Sequence, residues 1–268
     1  MAISYNEYGK DKDKHVLFIH GLGSSSIAWR DIPDALSDYF HTITVDLIGF
    51  GRSDKPETAD YTIKGFSKFI VDFLTKEIRI GKNEKISIVG HSLGGYIAAD
   101  VAIENKDLVE KLVLIDSSGM LQKPTSLLNQ YLEAAIEEEP VVRYNKLKRV
   151  FEQLYAYPSF LPPIVVDIFV QTIVKPGAKN AFVSAFNNST KTTIGLDRLK
   201  QIQDLPCLII WGKNDNLIPL EYANMFKNAL PYAKYEEIDI AGHAPFVEKT
   251  ASVHEKLRKF LTEDNHKM

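Results

Sequence analysis

The chain has 268 residues, of which 45% are hydrophobic and 25% charged, and its formal net charge is -3. This length and composition suit a single large α/β domain, with or without an inserted segment, and provide enough apolar residues for a full core. Because the net charge is slightly negative and no basic stripe with interleaved aromatic residues occurs, the sequence argues against nucleic acid as a partner.

Six short segments, most of them solidly apolar, predict strands. In chain order they cover residues 15–20, 40–46, 85–89, 111–116, 206–211 and 235–239. Apolar residues at helical spacing occupy much of the sequence between them, at residues 27–36, 63–78, 92–105, 220–230 and 247–261. This alternation predicts the α/β class, with a doubly wound, mostly parallel sheet and right-handed crossovers. Ligands of such sheets bind beyond the carboxyl ends of the strands.

One interval departs from this alternation. Residues 119–200 contain several helical patterns interrupted by prolines, many aromatic residues and no convincing central strand. We interpret this interval as a helical cap, or lid, inserted after the strand that ends at Asp116. Residues 1–118 and 201–268 then form the core domain.

The sequence shows no signal for export or membrane insertion. Its first residues lack the basic and apolar regions of a signal peptide, and no apolar run reaches the ~20 residues that a membrane-spanning helix needs. The only cysteine, Cys207, lies in a predicted strand, so no disulfide can form within the chain. We therefore expect a cytoplasmic protein with no membrane partner; the sequence leaves open whether it forms a homo-oligomer.

The most informative segment is Gly-His-Ser-Leu-Gly-Gly at residues 90–95, between a predicted strand and a predicted helix. A strand, Gly-x-Ser-x-Gly and a helix in succession are the setting of a nucleophile elbow. The turn is so tight that Ser92 is strained, while Gly90 and Gly94 leave room for crossing chains. A helix that begins at the serine directs its partial positive charge towards any oxyanion formed there.

A nucleophilic serine needs a base within hydrogen-bond reach, and the base needs a carboxylate that orients it. Downstream of Ser92, Asp215 follows one predicted strand and His243 follows the next. The order serine, acid, histidine is the one that the elbow template requires. We favour Asp215 as the acid. Asp116, at the end of an earlier strand, is the alternative, and Asp239 also lies near His243 in the sequence.

Two further segments complete the pattern, namely a His-Gly-x-Gly loop at residues 20–23 and a D-x-x-G-x-G-x-S turn at residues 46–53. With them, the chain outside the proposed cap resembles the α/β-hydrolase superfamily, in its serine-nucleophile branch of esterases and carbon–carbon hydrolases. The resemblance implies that Ser92 is the nucleophile, that His243 is the general base and then the acid, and that Asp215 orients the histidine.

The same template places the oxyanion hole at two backbone N–H groups, those of Leu22 and Leu93. The sequence has no cluster of His, Cys and acidic residues at metal-ligand spacing, and no complete dinucleotide fingerprint. We therefore expect no metal and no cofactor. A serine rather than an aspartate at the elbow argues against the dehalogenases and epoxide hydrolases of the superfamily.

The leading hypothesis is a carboxylesterase-like hydrolase that cleaves a small, largely apolar ester through an acyl-enzyme. The alternative within enzymes is hydrolysis of a carbon–carbon bond in a vinylogous diketone of the meta-cleavage type. Relatives of that type often have asparagine before the serine and methionine after it, where this chain has His91 and Leu93. Arg143, Arg149 and Arg198 are candidates to bind the carboxylate of such a substrate.

Two hypotheses lie outside ordinary catalysis. The first is a small-molecule receptor that keeps the triad but turns over slowly, and the second is a non-enzymatic scaffold. The presence of all the motifs in the correct order makes the scaffold the weakest of the four hypotheses.

Overall fold

Seven strands form one sheet in the computed structural model, which describes residues 2–157 and 163–263. The strands are β1 (Tyr5–Tyr8), β2 (His15–Ile19), β3 (His41–Val45), β4 (Ile86–His91), β5 (Val109–Ile115), β6 (Cys207–Gly212) and β7 (Lys234–Ile238). Their order across the sheet is β1-β3-β2-β4-β5-β6-β7, and every pair is parallel except β1 and β3. The predicted α/β class with a mostly parallel sheet is confirmed, and all six predicted strands are present.

The sequence pattern misses one strand, β1, which pairs only with β3 at the edge of the sheet. Its four residues, Tyr-Asn-Glu-Tyr, are all half-buried. An edge strand does not need an apolar run, because only one neighbour and part of each face cover it. Prediction from apolar runs finds central strands more readily for this reason.

Helices cover both faces of the sheet. They are α1 (Ile32–Leu36), α2 (Ile63–Asp72), α3 (Leu93–Glu104), α4 (Ser126–Ile136), α5 (Pro140–Leu154), α6 (Pro163–Ile173), α7 (Ala178–Thr190), α8 (Leu196–Lys200), α9 (Glu221–Ala229), α10 (Pro245–Glu248) and α11 (Thr250–Thr262). The helix that matters most for the site is α3, which is buried on all sides between β4, β5 and α2. A helix in such surroundings is apolar all round rather than amphipathic.

The prediction of one helix over residues 27–36 is wrong in detail. A 3₁₀ turn (Ser26–Trp29) is followed by α1, and the two are separated at Arg30, whose φ is 50°. Pro33 lies in the first turn of α1, where its missing N–H needs no helical partner. A single helix through both segments would leave a carbonyl unpaired opposite this proline.

Two other predicted helices are also divided. Over residues 63–78, α2 ends at Asp72 and a π-helical turn (Phe73–Ile78) continues from it. Over residues 247–261, α10 and α11 share the range, and Lys249 between them has a φ of -130°, outside helical geometry. The apolar spacing predicts the buried face in each case, but it does not detect the change in backbone geometry.

Helices α4 to α8 all lie between β5 and β6, and the described residues from 119 to 200 contain no strand. We call this range the inserted segment. It is tied to the rest of the chain by a hydrogen bond of Thr125 to the Leu217 carbonyl at 2.9 Å and by an ion pair of Arg198 with Asp100 at 2.9 Å. The division of the chain into a core domain and a cap stays a prediction. Within the described ranges, no helix is both long and apolar enough to cross a bilayer.

Candidate active site

Ser92 lies at a sharp turn between the end of β4 and the start of α3. Its φ of 53° and ψ of -118° are strained for a residue with a side chain, and such a conformation persists only where the surroundings impose it. The flanking glycines explain how the turn fits. A Cβ at Gly90 would overlap the backbone of Gly94, and a Cβ at Gly94 would overlap the Ile19 carbonyl in β2.

His243 and Asp215 form a buried hydrogen-bonded pair. Nδ1 of His243 lies 2.8 Å from Oδ2 of Asp215, and both residues are at most 5% exposed. The other carboxylate oxygen of Asp215 accepts the backbone N–H groups of Leu217 and Ile218, at 2.8 and 2.9 Å. Because Asp215 accepts at both oxygens, the hydrogen between the pair belongs to Nδ1 of His243, which leaves Nε2 as a proton acceptor.

The predicted site residues converge on one cavity. Ser92 and His243 line it together with Leu22 and Leu93, while Asp215 lies behind His243. None of the described residues that line the cavity is an aspartate, glutamate, lysine or arginine. The arrangement can bring a nucleophile and a base to bear on a largely apolar ligand.

The positions of Leu93 and Leu22, whose N–H groups are predicted to form an oxyanion hole, depend on the start of α3 and on a loop held by His20. Leu93 is the first residue of α3, so its N–H has no partner within the helix. The loop that carries Leu22 is fixed by His20, whose Nε2 accepts the N–H of Leu47 at 3.0 Å and whose Nδ1 donates to the Gly21 carbonyl at 2.8 Å. Burial lowers the pKa of His20, so its imidazole is neutral and holds the loop.

The inserted segment packs directly on this loop. The hydroxyl of Tyr131 in α4 donates to the Leu22 carbonyl at 3.3 Å, and the ring of Phe182 in α7 packs beside Tyr131. Gly23 makes the close approach possible. Its φ is 69°, and an added Cβ would lie 3.0 Å from Phe182 and closer still to the Tyr131 hydroxyl.

We expect Gly23→Ala to lower kcat/KM for a short ester by ~10- to 100-fold, since losing a whole oxyanion donor costs ~10²- to 10³-fold. The new methyl group would push the loop, and with it the Leu22 N–H, away from the helices. Gly195→Ala is a matched control, because its φ is 79° but nothing lies within 4 Å of the added Cβ. Steady-state kinetics of both variants measure the difference; an equal effect would contradict the packing argument.

His91 directly precedes Ser92 in the sequence. Its side chain is engaged in a hydrogen bond rather than free to act as a base. Its Nε2 donates to the backbone carbonyl of His243 at 2.7 Å, and the two rings lie 4.7 Å apart. Burial lowers the pKa of His91 well below its ordinary value, and the neighbouring His243 lowers it further. His91 is therefore neutral and holds the backbone of His243 in place.

Sequence reasoning missed the contacts that fix the His243 loop to the inserted segment. Glu248 accepts the backbone N–H groups of Gly242 and Ala156 at 2.6 and 2.8 Å, and the N–H of His243 donates to the Leu154 carbonyl at 2.7 Å. No motif marks the two contacts that reach the inserted segment, from Ala156 to Glu248 and from His243 to Leu154, because these partners are some ninety residues apart in the chain. The inserted segment thus supports both the Leu22 loop and the His243 loop.

The structure distinguishes the three candidate acids by position. Asp215 contacts His243, whereas Asp239 is exposed and forms an ion pair with Lys213 at 2.7 Å. Asp116 is completely buried, and its Oδ1 accepts the N–H of Gly212 at 2.9 Å. Burial, and next the charge of Asp215, raise the pKa of Asp116 well above its ordinary value. The positions of the three acids therefore favour Asp215 as the partner of His243.

Asp116, Asp215 and His243 also form the one group of potential metal ligands in the part of the chain that is described, with ligand atoms within 4.8 Å of one another. A metal ion there would have to displace the hydrogen that joins His243 to Asp215 at 2.8 Å. The expectation of no metal and no cofactor stays a prediction.

This chain is similar to known hydrolases. The model of the family described as alpha/beta hydrolase fold matches residues 14–250. Lipase 1 of Psychrobacter immobilis is 30% identical over 268 residues, which cover 96% of this chain and 80% of the lipase. The pimeloyl-[acyl-carrier protein] methyl ester esterase of Vibrio cholerae is 25% identical over 265 residues, covering 98% and 99% of the two chains.

Among solved structures, a meta-cleavage product hydrolase from Pseudomonas fluorescens superimposes with a TM-score of 0.84. The match covers 98% of this chain and 95% of the hydrolase, at 23% sequence identity. At that identity the likeness concerns the fold.

Proposed function

Because the chain belongs to the alpha/beta hydrolase fold family, we propose that it is a serine hydrolase that cleaves a carboxylic ester of a small, largely apolar substrate. One observation carries the proposal. The hydrogen-bonded pair of His243 and Asp215 borders a cavity that Ser92 also lines, and no described lining residue is an aspartate, glutamate, lysine or arginine. In this proposal the inserted segment is the helical cap over the cavity.

In the first half of the reaction, the Ser92 hydroxyl oxygen attacks the ester carbonyl while Nε2 of His243 takes its proton. Asp215 stabilises the imidazolium that forms. The negative charge on the former carbonyl oxygen is bound by the N–H group of Leu93 at the start of α3 and by that of Leu22 in the loop after β2. The bond to the alcohol oxygen then breaks, and His243 returns the proton to the leaving alcohol.

The second half regenerates the enzyme. His243 removes a proton from a water molecule, and the resulting hydroxide attacks the acyl carbonyl on Ser92. The bond to the serine oxygen breaks, His243 protonates that oxygen, and the carboxylic acid leaves. Both halves pass through the same oxyanion position, so one pair of backbone donors serves the whole cycle.

The cavity walls indicate the kind of acyl group. Large apolar side chains line it from both the inserted segment and the remainder of the chain: Leu121, Leu128, Phe151, Leu154, Leu217 and Phe246. Smaller polar residues, among them Ser118, Ser189 and Thr190, also line it. A medium-length acyl or aryl group suits such walls.

The same lining weighs against a carbon–carbon hydrolase of the meta-cleavage type, whose substrate carries a carboxylate. Arg198 is occupied by Asp100 and Glu104, at 2.9 and 2.6 Å. Arg143 donates to a carbonyl of its own segment, and Arg149 is exposed on α5. None of the three arginines is among the described residues that line the cavity, so none of them is placed to bind a carboxylate there.

The deciding experiment is a panel of p-nitrophenyl esters of increasing acyl length, assayed beside one aromatic vinylogous diketone. We expect turnover of the short and medium esters, no cleavage of the diketone, and labelling of Ser92 by a fluorophosphonate. Release of p-nitrophenol barely above the background rate would favour the slow receptor instead. Absence of labelling would favour the scaffold, and cleavage of the diketone alone would favour the carbon–carbon hydrolase.

A further inference from the structure

Asp116 is a buried carboxyl group whose surroundings do not suit a negative charge. It directly follows β5 with a φ of 42°, a strained value for a residue with a side chain, and it is completely buried. One oxygen, Oδ1, accepts the N–H of Gly212 at 2.9 Å. The other oxygen, Oδ2, has no hydrogen-bond donor. A buried carboxylate oxygen without a donor is costly, whereas a protonated one can itself donate.

Asp215 is an acidic neighbour of the Asp116 carboxyl group. One carboxylate oxygen of Asp116, one of Asp215 and one ring nitrogen of His243 all lie within 4.8 Å of one another. Asp215 already accepts three hydrogen bonds, two from backbone N–H groups and one from the histidine. A carboxylate offers about four acceptor positions, so one remains for a further donor.

Charge balance leads to the same conclusion. With a neutral His243, ionisation of both acids would place two negative charges side by side in the interior. The other groups that face Asp116 do not offset them: Glu248 of α10 is acidic, and Tyr235 of β7 is a neutral phenol whose pKa burial raises. One proton shared by the two carboxyl groups removes the conflict.

We propose that Asp116 is a positioning residue that keeps a proton on Oδ2 and donates it as a hydrogen bond to the Asp215 carboxylate. This inference deepens the proposed function and rests on it for its catalytic consequence. The donated hydrogen bond holds Asp215 against His243 and limits the pair to a single negative charge. Asp116 then acts through Asp215 and does not touch the substrate.

The first test does not depend on activity. Burial raises the pKa of Asp116, so the folded protein keeps a proton that the unfolded chain releases above its ordinary pKa of ~3.9. The stability of the wild-type protein therefore falls as pH rises through this window. Asp116→Asn carries a permanently neutral amide and lacks this loss, so its melting temperature relative to wild type should increase steadily from pH 5 to pH 8.

A difference in melting temperature that stays constant or shrinks over that range would overturn the proposal. Asp100→Asn is the matched control, since Asp100 is equally buried but paired with Arg198 at 2.9 Å. Its melting temperature relative to wild type should not increase with pH. Metal analysis of the purified full chain adds a second criterion: a stoichiometric divalent ion that Asp116→Asn loses would overturn the proposal, because a cation would then neutralise the acids.

The second test is kinetic and uses p-nitrophenyl butyrate. Asp116→Ala should lower kcat at least tenfold and move the acid limb of the kcat/KM profile to higher pH, because Asp215 without its donor binds the protonated histidine more strongly. Asp116→Asn should restore most of the rate and the wild-type acid limb. If Asp116 were ionised, Asp116→Asn would instead shift that limb to lower pH by about one unit, which would overturn the proposal.

The two tests separate this inference from the proposed function. If no ester is turned over but the melting temperatures diverge with pH as expected, the proposed function fails and the shared proton stands. If esters are turned over but the divergence is absent, the reverse holds.

Discussion

Ser92→Ala should reduce the hydrolysis of p-nitrophenyl butyrate by at least ~10⁴-fold, because removal of a serine nucleophile leaves only substrate binding and the oxyanion donors. The fold should remain intact. The Ser92 side chain makes no capping hydrogen bond to α3, and alanine is as able as serine to be held at a φ of 53°. Activity and melting temperature measured on the same preparation test both statements.

Ser87→Ala is the matched control for this variant. Ser87 is a buried serine of β4, the strand that leads to the nucleophile, and it does not line the cavity. Its rate should stay within a few-fold of the wild-type rate. If Ser92→Ala turns the ester over at a rate within tenfold of wild type, Ser92 is not the nucleophile and no acyl-enzyme forms on it.

Asp215→Asn should lower kcat by ~10⁴-fold, the loss typical of a triad whose histidine adopts the wrong tautomer. The contacts of Asp215 explain why. An asparagine must keep its amide oxygen towards the N–H groups of Leu217 and Ile218, so its NH₂ group faces Nδ1 of His243. The histidine then accepts at Nδ1 and carries its hydrogen on Nε2, where it can no longer take the proton of Ser92.

Asp239→Asn controls for a change of charge near the histidine loop. Asp239 is exposed and paired with Lys213 at 2.7 Å, so its rate should stay within about twofold of wild type, as for most surface substitutions. Asp116→Asn should lose far less than Asp215→Asn. The reverse ranking, with Asp116 essential and Asp215 dispensable, would show that the acid has been misassigned.

Much of the fold could be predicted from the sequence because the central strands are buried on both faces. Segments such as β4 and β6 are buried along their whole length and mostly apolar, and this pattern has few alternatives. The pattern fails where burial is incomplete or the backbone changes geometry. The edge strand β1 has no apolar run. The break at Arg30 depends on a positive φ that the sequence does not predict.

The candidate site divides in the same way. The segments around Ser92, Asp215 and His243 could be predicted because each follows a strand and carries a recognisable residue type. The contacts of Tyr131 and Glu248 could not, since they join parts of the chain that only folding brings together.

By itself, the sequence determined the alternation of strands and helices, the tight turn at Ser92 and the chain order of the predicted nucleophile, acid and base. These are local properties, set by side-chain polarity and by the conformational freedom of glycine. Only the tertiary structure decided that Asp215 rather than Asp116 meets His243, and that the two acids lie side by side. The physical reason is that the hydrogen-bonding and protonation of a buried carboxyl group depend on neighbours from other strands and loops, and their distances do not exist until the sheet is assembled.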